Sequence, residues 1–254
     1  MNKKDIKLAN EALPAIAIDG GGIDLWFVRL QGDDHVTNAA AATLSDPEMR
    51  RADQFRFSMH RNRFILAHAA LRGILGSYSG CPASSIDFTI SPHGKPSLVD
   101  RNRGEIEFNL SHSEDLAVVA VSHGSIMGVD VEQVREMPDW PQMAQQFFSE
   151  AEIAAIERVS LGEKSTMFLR FWTRKEALLK AIGIGLQDDL ASFCTVADDL
   201  DQESVVRVPE RQELPSDDEY MRECTLSSFE FEGFVGALAV CGPVSSVRRV
   251  QWVW

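Results

Sequence analysis

No apolar run in this chain approaches the roughly 20 residues that cross a bilayer. Nothing apolar follows the basic start Met1-Asn2-Lys3-Lys4-Asp5-Ile6-Lys7. Neither a membrane span nor a secretory leader is therefore expected. Cysteine is sparse: Cys81, Cys194, Cys224 and Cys241 are scattered, with no CxxC pair. That pattern argues against a zinc finger and reads as reduced thiols of a cytoplasmic protein rather than as a disulfide framework. Positive charge is short as well. The formal net charge is −13, from 25 Lys and Arg against 38 Asp and Glu. Such a surface argues against general binding to nucleic acid or to an anionic membrane.

What is present is a soluble-protein composition, 44% hydrophobic and 25% charged over 254 residues. That is enough chain for one large domain or two smaller ones, each with a core. The charge is uneven. Arg50, Arg51, Arg56, Arg61 and Arg63 fall close together and only Asp53 opposes them there. This basic island reads either as a specific anion site or as a solvated helix face.

The densest chemistry lies in two short motifs. Gly128-Val129-Asp130-Val131-Glu132 reads as a strand, whose alternation puts Asp130 and Glu132 on one face and the valines on the other. Trp172-Thr173-Arg174-Lys175-Glu176-Ala177-Leu178-Leu179-Lys180 reads as a helix, with Glu176 and Lys180 one turn apart on one face. Three carboxylates and a lysine, with no cysteine nearby, suit a hard divalent cation beside a phosphate-bearing ligand. A solvated acidic face is the plainer alternative.

Around these motifs the pattern predicts strands at 24–30, 86–90, 106–110, 116–122, 229–240 and 247–254. Helices are predicted from a capping box at Ser45/Glu48, over 61–75 ending near Gly76, from a second box at Ser149/Glu152, and over 166–182 stopping at Gly183. Ser111 to Asp115 is expected to turn. The acidic stretch 198–223 is expected to be a loop excursion. Segregated strands and helices indicate an α+β fold.

An internal likeness suggests a duplication. Gly22-Ile23-Asp24-Leu25-Trp26 matches the Gly128 strand, and Arg63-Phe64-Ile65-Leu66-Ala67-His68-Ala69-Ala70-Leu71 aligns without a gap on Arg170 to Leu178. The expected architecture is a pseudo-twofold pair of similar α+β subdomains, 1–124 and 125–254, with the active site at their interface. The first copy has Trp26 in place of Glu132 and Ala69 in place of Glu176, so only the second retains three carboxylates. His68, opposite Lys175 in this alignment, is expected to pack between the halves.

Taken in order, the Arg63 helix, Gly94-Lys95-Pro96, Asn109-Leu110-Ser111-His112, the Gly128 strand and Trp172-Thr173-Arg174-Lys175-Glu176-Ala177 resemble the 4′-phosphopantetheinyl transferases of the surfactin-synthetase-activating type, in their Trp/Lys-Glu-Ala subgroup. The resemblance implies a holo-carrier-protein synthase. Such an enzyme moves 4′-phosphopantetheine from coenzyme A to a serine of an apo acyl or peptidyl carrier protein and releases adenosine 3′,5′-bisphosphate. It implies Mg²⁺ (Mn²⁺ is possible) on Asp130, Glu132 and Glu176, with Lys180 on a phosphate. Glu176 is also a candidate base, a role in tension with metal ligation. It further implies His112, with Ser111, on the coenzyme A phosphates; Gly94, Lys95 and Pro96 about the adenine and ribose; and Arg63 and Arg50 on the 3′-phosphate. Lys175 either holds the motif helix in place or faces solvent.

A cytoplasmic monomer is expected. Its carrier-docking patch should be local, apolar and modestly basic, with Met167 and Phe168 as candidates unless they are core. A coenzyme A pyrophosphate hydrolase and a non-catalytic coenzyme A-binding module are the alternatives.

Overall fold

The computed structural model describes residues 21–92, 94–99, 106–183, 190–196, 203–207 and 223–254. The expectations for the N-terminal residues and for most of the 198–223 stretch lie outside them. In chain order the elements are β1 (Gly22–Arg29), α1 (Asp34–Ala41), α2 (Asp46–Ala52), α3 (Ser58–Ser79), β2 (Phe88–Ile90), β3 (Pro96–Leu98), β4 (Ile106–Ser113), β5 (Leu116–His123), β6 (Ile126–Gln133), α4 (Trp140–Phe147), α5 (Glu150–Arg158), α6 (Lys164–Ile182), β7 (Ser204–Arg207), β8 (Glu223–Phe231), β9 (Phe234–Cys241) and β10 (Ser246–Trp252). The fold is α+β.

The chain forms two compact units. The first takes the chain up to Ser91, Pro96–Gly124 and Ser245–Trp254; the second takes Pro92–Lys95 and Ser125–Val244. The units thus differ from sequential halves, because the last strand returns to the first unit.

In the first unit the sheet order is β10-β1-β5-β4, with β10 parallel to β1 and the other pairs antiparallel. β1 and β5 are buried on both faces, which explains the apolar runs Leu25–Val28 and Leu116–Val121. The apolar side of α3, including Ile65, Leu66, Ala69 and Ile74, packs in one core with Trp26, Val28, Val119, Val121 and Trp252. The helix runs past Gly76 and ends at Gly80, whose φ of +65° is the left-handed cap that glycine adopts without penalty. Gly76 is a close-approach residue instead: a Cβ there would stand 2.6 Å from the Cys81 carbonyl oxygen. The turn after β4 falls at Glu114, with φ of +49°, so Ser111 and His112 remain in the strand.

Two polar networks tie this unit together. Buried Asp24 receives two guanidinium hydrogen bonds from Arg248, at 2.6 and 2.5 Å, and a hydroxyl bond from Tyr78. Tyr78 in turn accepts from Trp26 Nε1 at 2.9 Å. Burial, with the Asp24 carboxylate beside it, pushes the Tyr78 phenol well up. Glu48 closes the predicted capping box on Ser45 and also receives His68 at 3.0 Å and Arg72 at 2.7 Å. His68 also stacks on Phe64, so both of these partners belong to its own unit. Burial alone would raise the Glu48 carboxyl, but hydrogen bonds from His68, Arg72 and Ser45 outweigh it and hold the group at about 2.

In the second unit the order is β6-β9-β8-β7, antiparallel throughout. The predicted single strand over 229–240 is in fact a tight hairpin. Glu232 and Gly233, with φ of +45° and +87°, make the two-residue turn whose twist matches antiparallel strands. The register sets Cys224 opposite Cys241, with Cα atoms 4.1 Å apart, and the two form a disulfide. The reduced-thiol expectation therefore fails for this pair, because sequence spacing does not reveal cross-strand register. Cys81 and Cys194 are free. Ser204–Arg207, expected to be loop, adds β7 to the sheet edge.

α6 lies on β6 and β9. It crosses β6 at Gly128, where a Cβ would stand 2.2 Å from the Ala177 carbonyl oxygen and 2.4 Å from the Ala181 nitrogen. Only a glycine admits that approach. Gly128→Ala is expected to cost about 3 kcal/mol of stability, read as a lowered midpoint in urea or thermal unfolding. An unchanged midpoint would mean the helix stands farther from the strand.

Because the Glu48 carboxyl is depressed, its contribution to stability is complete above its ordinary range near 4.5 and is lost as pH falls towards about 2. Glu48→Gln, which keeps a capping-box acceptor, should flatten the melting temperature against pH between those limits. A slope equal to wild type there would contradict the assignment.

Candidate active site

The second unit brings four of the expected residues together. Asp130 and Glu132 point from one face of β6, and Glu176 and Lys180 come from α6, the helix seated on that strand. Lys180 Nζ donates to Asp130 Oδ1 at 2.7 Å and to the Val129 carbonyl at 3.2 Å. Glu132 pairs with Arg135 at 3.1 Å, a partner the sequence reading did not anticipate. Glu176 is pushed up to about 7, chiefly by burial and then by the nearby Asp130 and Glu132 carboxylates, with Lys180 opposing. Its buried Oε1 receives no hydrogen bond.

Among the described residues no three His, Cys, Asp or Glu side chains already form a metal-holding group. In this arrangement Lys180 engages one oxygen of Asp130. The donor chemistry nevertheless fits a hard dication. The groups available are carboxylates, and one buried carboxylate oxygen lacks any donor among neighbours that make its ionisation costly.

The two basic residues that precede Glu176 in the helix are structural. Lys175 is 1% exposed and pairs with the equally buried Glu152 at 2.9 Å. It also donates to the carbonyls of Leu190 and Phe193, at 2.5 and 2.7 Å. Arg174 donates to the Thr195 carbonyl at 3.0 Å, to Ser228 Oγ at 2.9 Å and to Ser204 Oγ. Glu152 meanwhile caps α5 through Ser149 and receives the Thr195 hydroxyl and amide. The sequence identified Glu152 only as a capping residue. Its second role had one available sign: in the aligned first copy Glu48 is likewise a box glutamate, and His68 stands where Lys175 does. Phe168 is also core, 1% exposed and packed with Phe148 and Trp172, so it offers no docking surface. Met167 packs partly buried against the same cluster.

Lys95, grouped with the second unit, donates to the carbonyls of Met127 and Ala181, at 3.3 and 3.2 Å. It thus caps the C-terminal end of α6, where carbonyls lack helical partners. Gly94, with φ of +85°, supplies the bend before it, and Pro96 opens β3 opposite Ile90. The first unit holds the remaining residues. Arg63 on α3 pairs with Glu114 of the β4–β5 turn at 2.8 Å. Arg50 is exposed in the last turn of α2. On β4, Ser111 is buried and His112 exposed, paired with Val118 and Ala117.

The sequence pattern of the 4′-phosphopantetheinyl transferase superfamily matches residues 126–238, and that of the 4′-phosphopantetheinyl transferase N-terminal region matches residues 31–124. The chain is 37% identical over 174 residues to the 4′-phosphopantetheinyl transferase HetI of Nostoc sp., which spans 68% of this chain and 73% of that protein. The chain belongs to the 4′-phosphopantetheinyl transferase superfamily. It is similarly 30% identical over 173 residues to the transferase gsp of Aneurinibacillus migulanus, covering 67% of this chain and 70% of that protein. It is 31% identical over 148 residues to AcpT of Escherichia coli O157:H7, covering 58% and 70%. As a phosphopantetheinyl transferase it uses coenzyme A as substrate and modifies carrier proteins. No described helix is long and apolar enough to cross a membrane.

Breaking the buried pair in this transferase from one side leaves a charge without a partner. Lys175→Met is therefore expected to cost about 3–5 kcal/mol. Glu152→Leu should be costly as well, and the double variant should lose less than the sum of the two single losses, which a double-mutant cycle of urea midpoints would read. Simple additivity of the two losses would rule out the pairing.

Proposed function

We propose that the second unit carries the reacting centre, with Asp130, Glu132 and Glu176 as the ligands of Mg²⁺ or Mn²⁺ and Lys180 as a phosphate contact. The supporting observation is the half-buried Glu176 carboxyl, flanked by two more carboxylates and with one buried oxygen that no donor meets. A dication held there would supply charge neutralisation on the coenzyme A pyrophosphate and on the leaving group.

The chain's own groups do the rest. The carrier serine oxygen bonds to the β-phosphorus, the bond from that phosphorus to the bridging oxygen breaks, and adenosine 3′,5′-bisphosphate departs. Glu176, directly or through a water, takes the serine proton, with its raised carboxyl offsetting the basicity that metal ligation would remove. Lys180 stabilises charge developing on the phosphates. Arg63 and Arg50 hold the 3′-phosphate, since a guanidinium fork suits a dianion. Ser111 and His112 meet the coenzyme A phosphates, and Gly94, Lys95 and Pro96 flank the adenine and ribose. Residues 1–124 would thus serve coenzyme A and 125–254 the metal. A cytoplasmic monomer belongs to the same proposal.

The motif Trp172-Thr173-Arg174-Lys175-Glu176-Ala177 supports membership of the Trp/Lys-Glu-Ala subgroup of the surfactin-synthetase-activating type. A pseudo-twofold origin is likewise our inference. Three parallels support it. Each unit pairs its leading strand with the second strand of a hairpin, as β1 with β5 and β6 with β9. In each, a capping-box glutamate, Glu48 or Glu152, reaches a basic residue at the aligned helix position, His68 or Lys175. The leading strands share the Gly-x-Asp pattern.

Mass spectrometry of apo-carriers incubated with coenzyme A, Mg²⁺ and the protein should show one added phosphopantetheine group. Hydrolysed coenzyme A with unmodified carriers would favour a pyrophosphate hydrolase instead. Asp130→Ala and Glu176→Ala should each abolish transfer while the fold persists by circular dichroism. Wild-type turnover in either would remove the metal assignment. At pH 8, millimolar Mg²⁺ should raise the wild-type melting temperature and leave Glu176→Gln unmoved. Arg63→Ala should raise the KM for coenzyme A, and an unchanged KM would take Arg63 out of the site.

A further inference from the structure

Among the described residues the exposed aromatic side chains gather at one junction. Among the described residues the exposed phenylalanines are Phe55 and Phe57, at 40% and 58%, and Met59 beside them is 53% exposed. They occupy the connection from α2 into α3, where every residue from Asp53 to His60 faces solvent. Arginines hold the rim. The Arg56 guanidinium lies over the Phe57 ring, 5.5 Å from its centre, and that of Arg51 lies 5.6 Å over Phe64. Arg61 is tied to Asp53 at 3.1 Å. Phe55 leans on buried Phe64 at 5.5 Å, so the patch is anchored to the core rather than loosely hung.

Clustered apolar side chains rimmed by polar groups mark interaction surfaces, and aromatic residues with arginine are the types that carry most binding energy. The local charge narrows the partner. On a chain of net charge −13, this junction is a positive island. It therefore suits a partner that is itself acidic, which the protein's overall charge would otherwise repel. Of the two residues expected from sequence to meet such a partner, Phe168 is core and Met167 is half-buried.

We propose that the Phe55–Met59 junction, with Arg51 and Arg56 at its rim, docks the carrier protein through an acidic face of it, the apolar side chains taking an apolar patch on that face and the arginines its carboxylates. This rests on the transferase reading but uses residues outside the proposed coenzyme A and metal sites.

Steady-state transfer to an apo-carrier, with the carrier and coenzyme A varied separately, tests it. Phe57→Ala combined with Met59→Ala, and separately Arg56→Glu, should each raise the carrier KM by about tenfold or more. The coenzyme A KM, the kcat and the melting temperature should stay near wild type. The carrier KM of wild type should rise with salt, and that of Arg56→Glu should rise less. A carrier bearing a reversed acidic residue should partly rescue Arg56→Glu. An unchanged carrier KM overturns the proposal. So does a rise confined to the coenzyme A KM, which would make the junction part of the cofactor site. So does a wild-type dimer that the variants dissociate with carrier KM unchanged, which would make it a self-association face. If wild type modifies no carrier at all, the transferase reading fails, an outcome distinct from all of these.

Discussion

The candidate centre depends on one backbone contact, the crossing of α6 over β6 at Gly128. There the helix main chain comes so near that a single methyl would strike the Ala177 carbonyl. That proximity lets short and long acidic side chains share one small volume: Asp130 and Glu132 rise from the strand while Glu176 and Lys180 descend from the helix. It also accounts for the Glu176 carboxyl, held near 7 by burial and by its acidic neighbours. A looser crossing would admit water between the layers, and the carboxylates would titrate as surface groups do.

Around this contact the second unit places buried charge where other proteins place apolar packing. Lys175 and Glu152 are both fully enclosed, and each is saturated by further hydrogen bonds to Leu190, Phe193, Thr195 and Ser149. Enclosed ion pairs contribute little net stability, but they tolerate few alternative arrangements. The pair fixes the segment after the motif helix to the helix itself. The first unit repeats the device in milder form, with Glu48 gathering His68 and Arg72.

Elements governed by neighbours in sequence were legible. Both capping boxes formed as read, because their donors and acceptors lie three residues apart. The alternation in β6 and the periodicity of α6 correctly gathered Asp130, Glu132, Glu176 and Lys180. What escaped was set by distant register or by solvation. The Glu232-Gly233 turn hides inside an apolar stretch, so two strands read as one. The Cys224–Cys241 bridge follows from that hairpin and could not be foreseen without it. Lys175 is polar by type yet enclosed, since its counter-charge comes from another helix. Gly76 looked like a stop and is instead a point of contact with Cys81.

The strand that completes the first sheet lies at the far end of the chain. Arg248 grips Asp24 across 224 positions, and β10 runs alongside β1 from end to end. Closing so large a loop makes this pairing late and slow compared with the hairpins. During synthesis the first unit therefore waits, one sheet edge uncovered, while the whole second unit is translated. A fragment cut at residue 124 would carry that bare edge permanently, and Asp24 would be enclosed without its arginine.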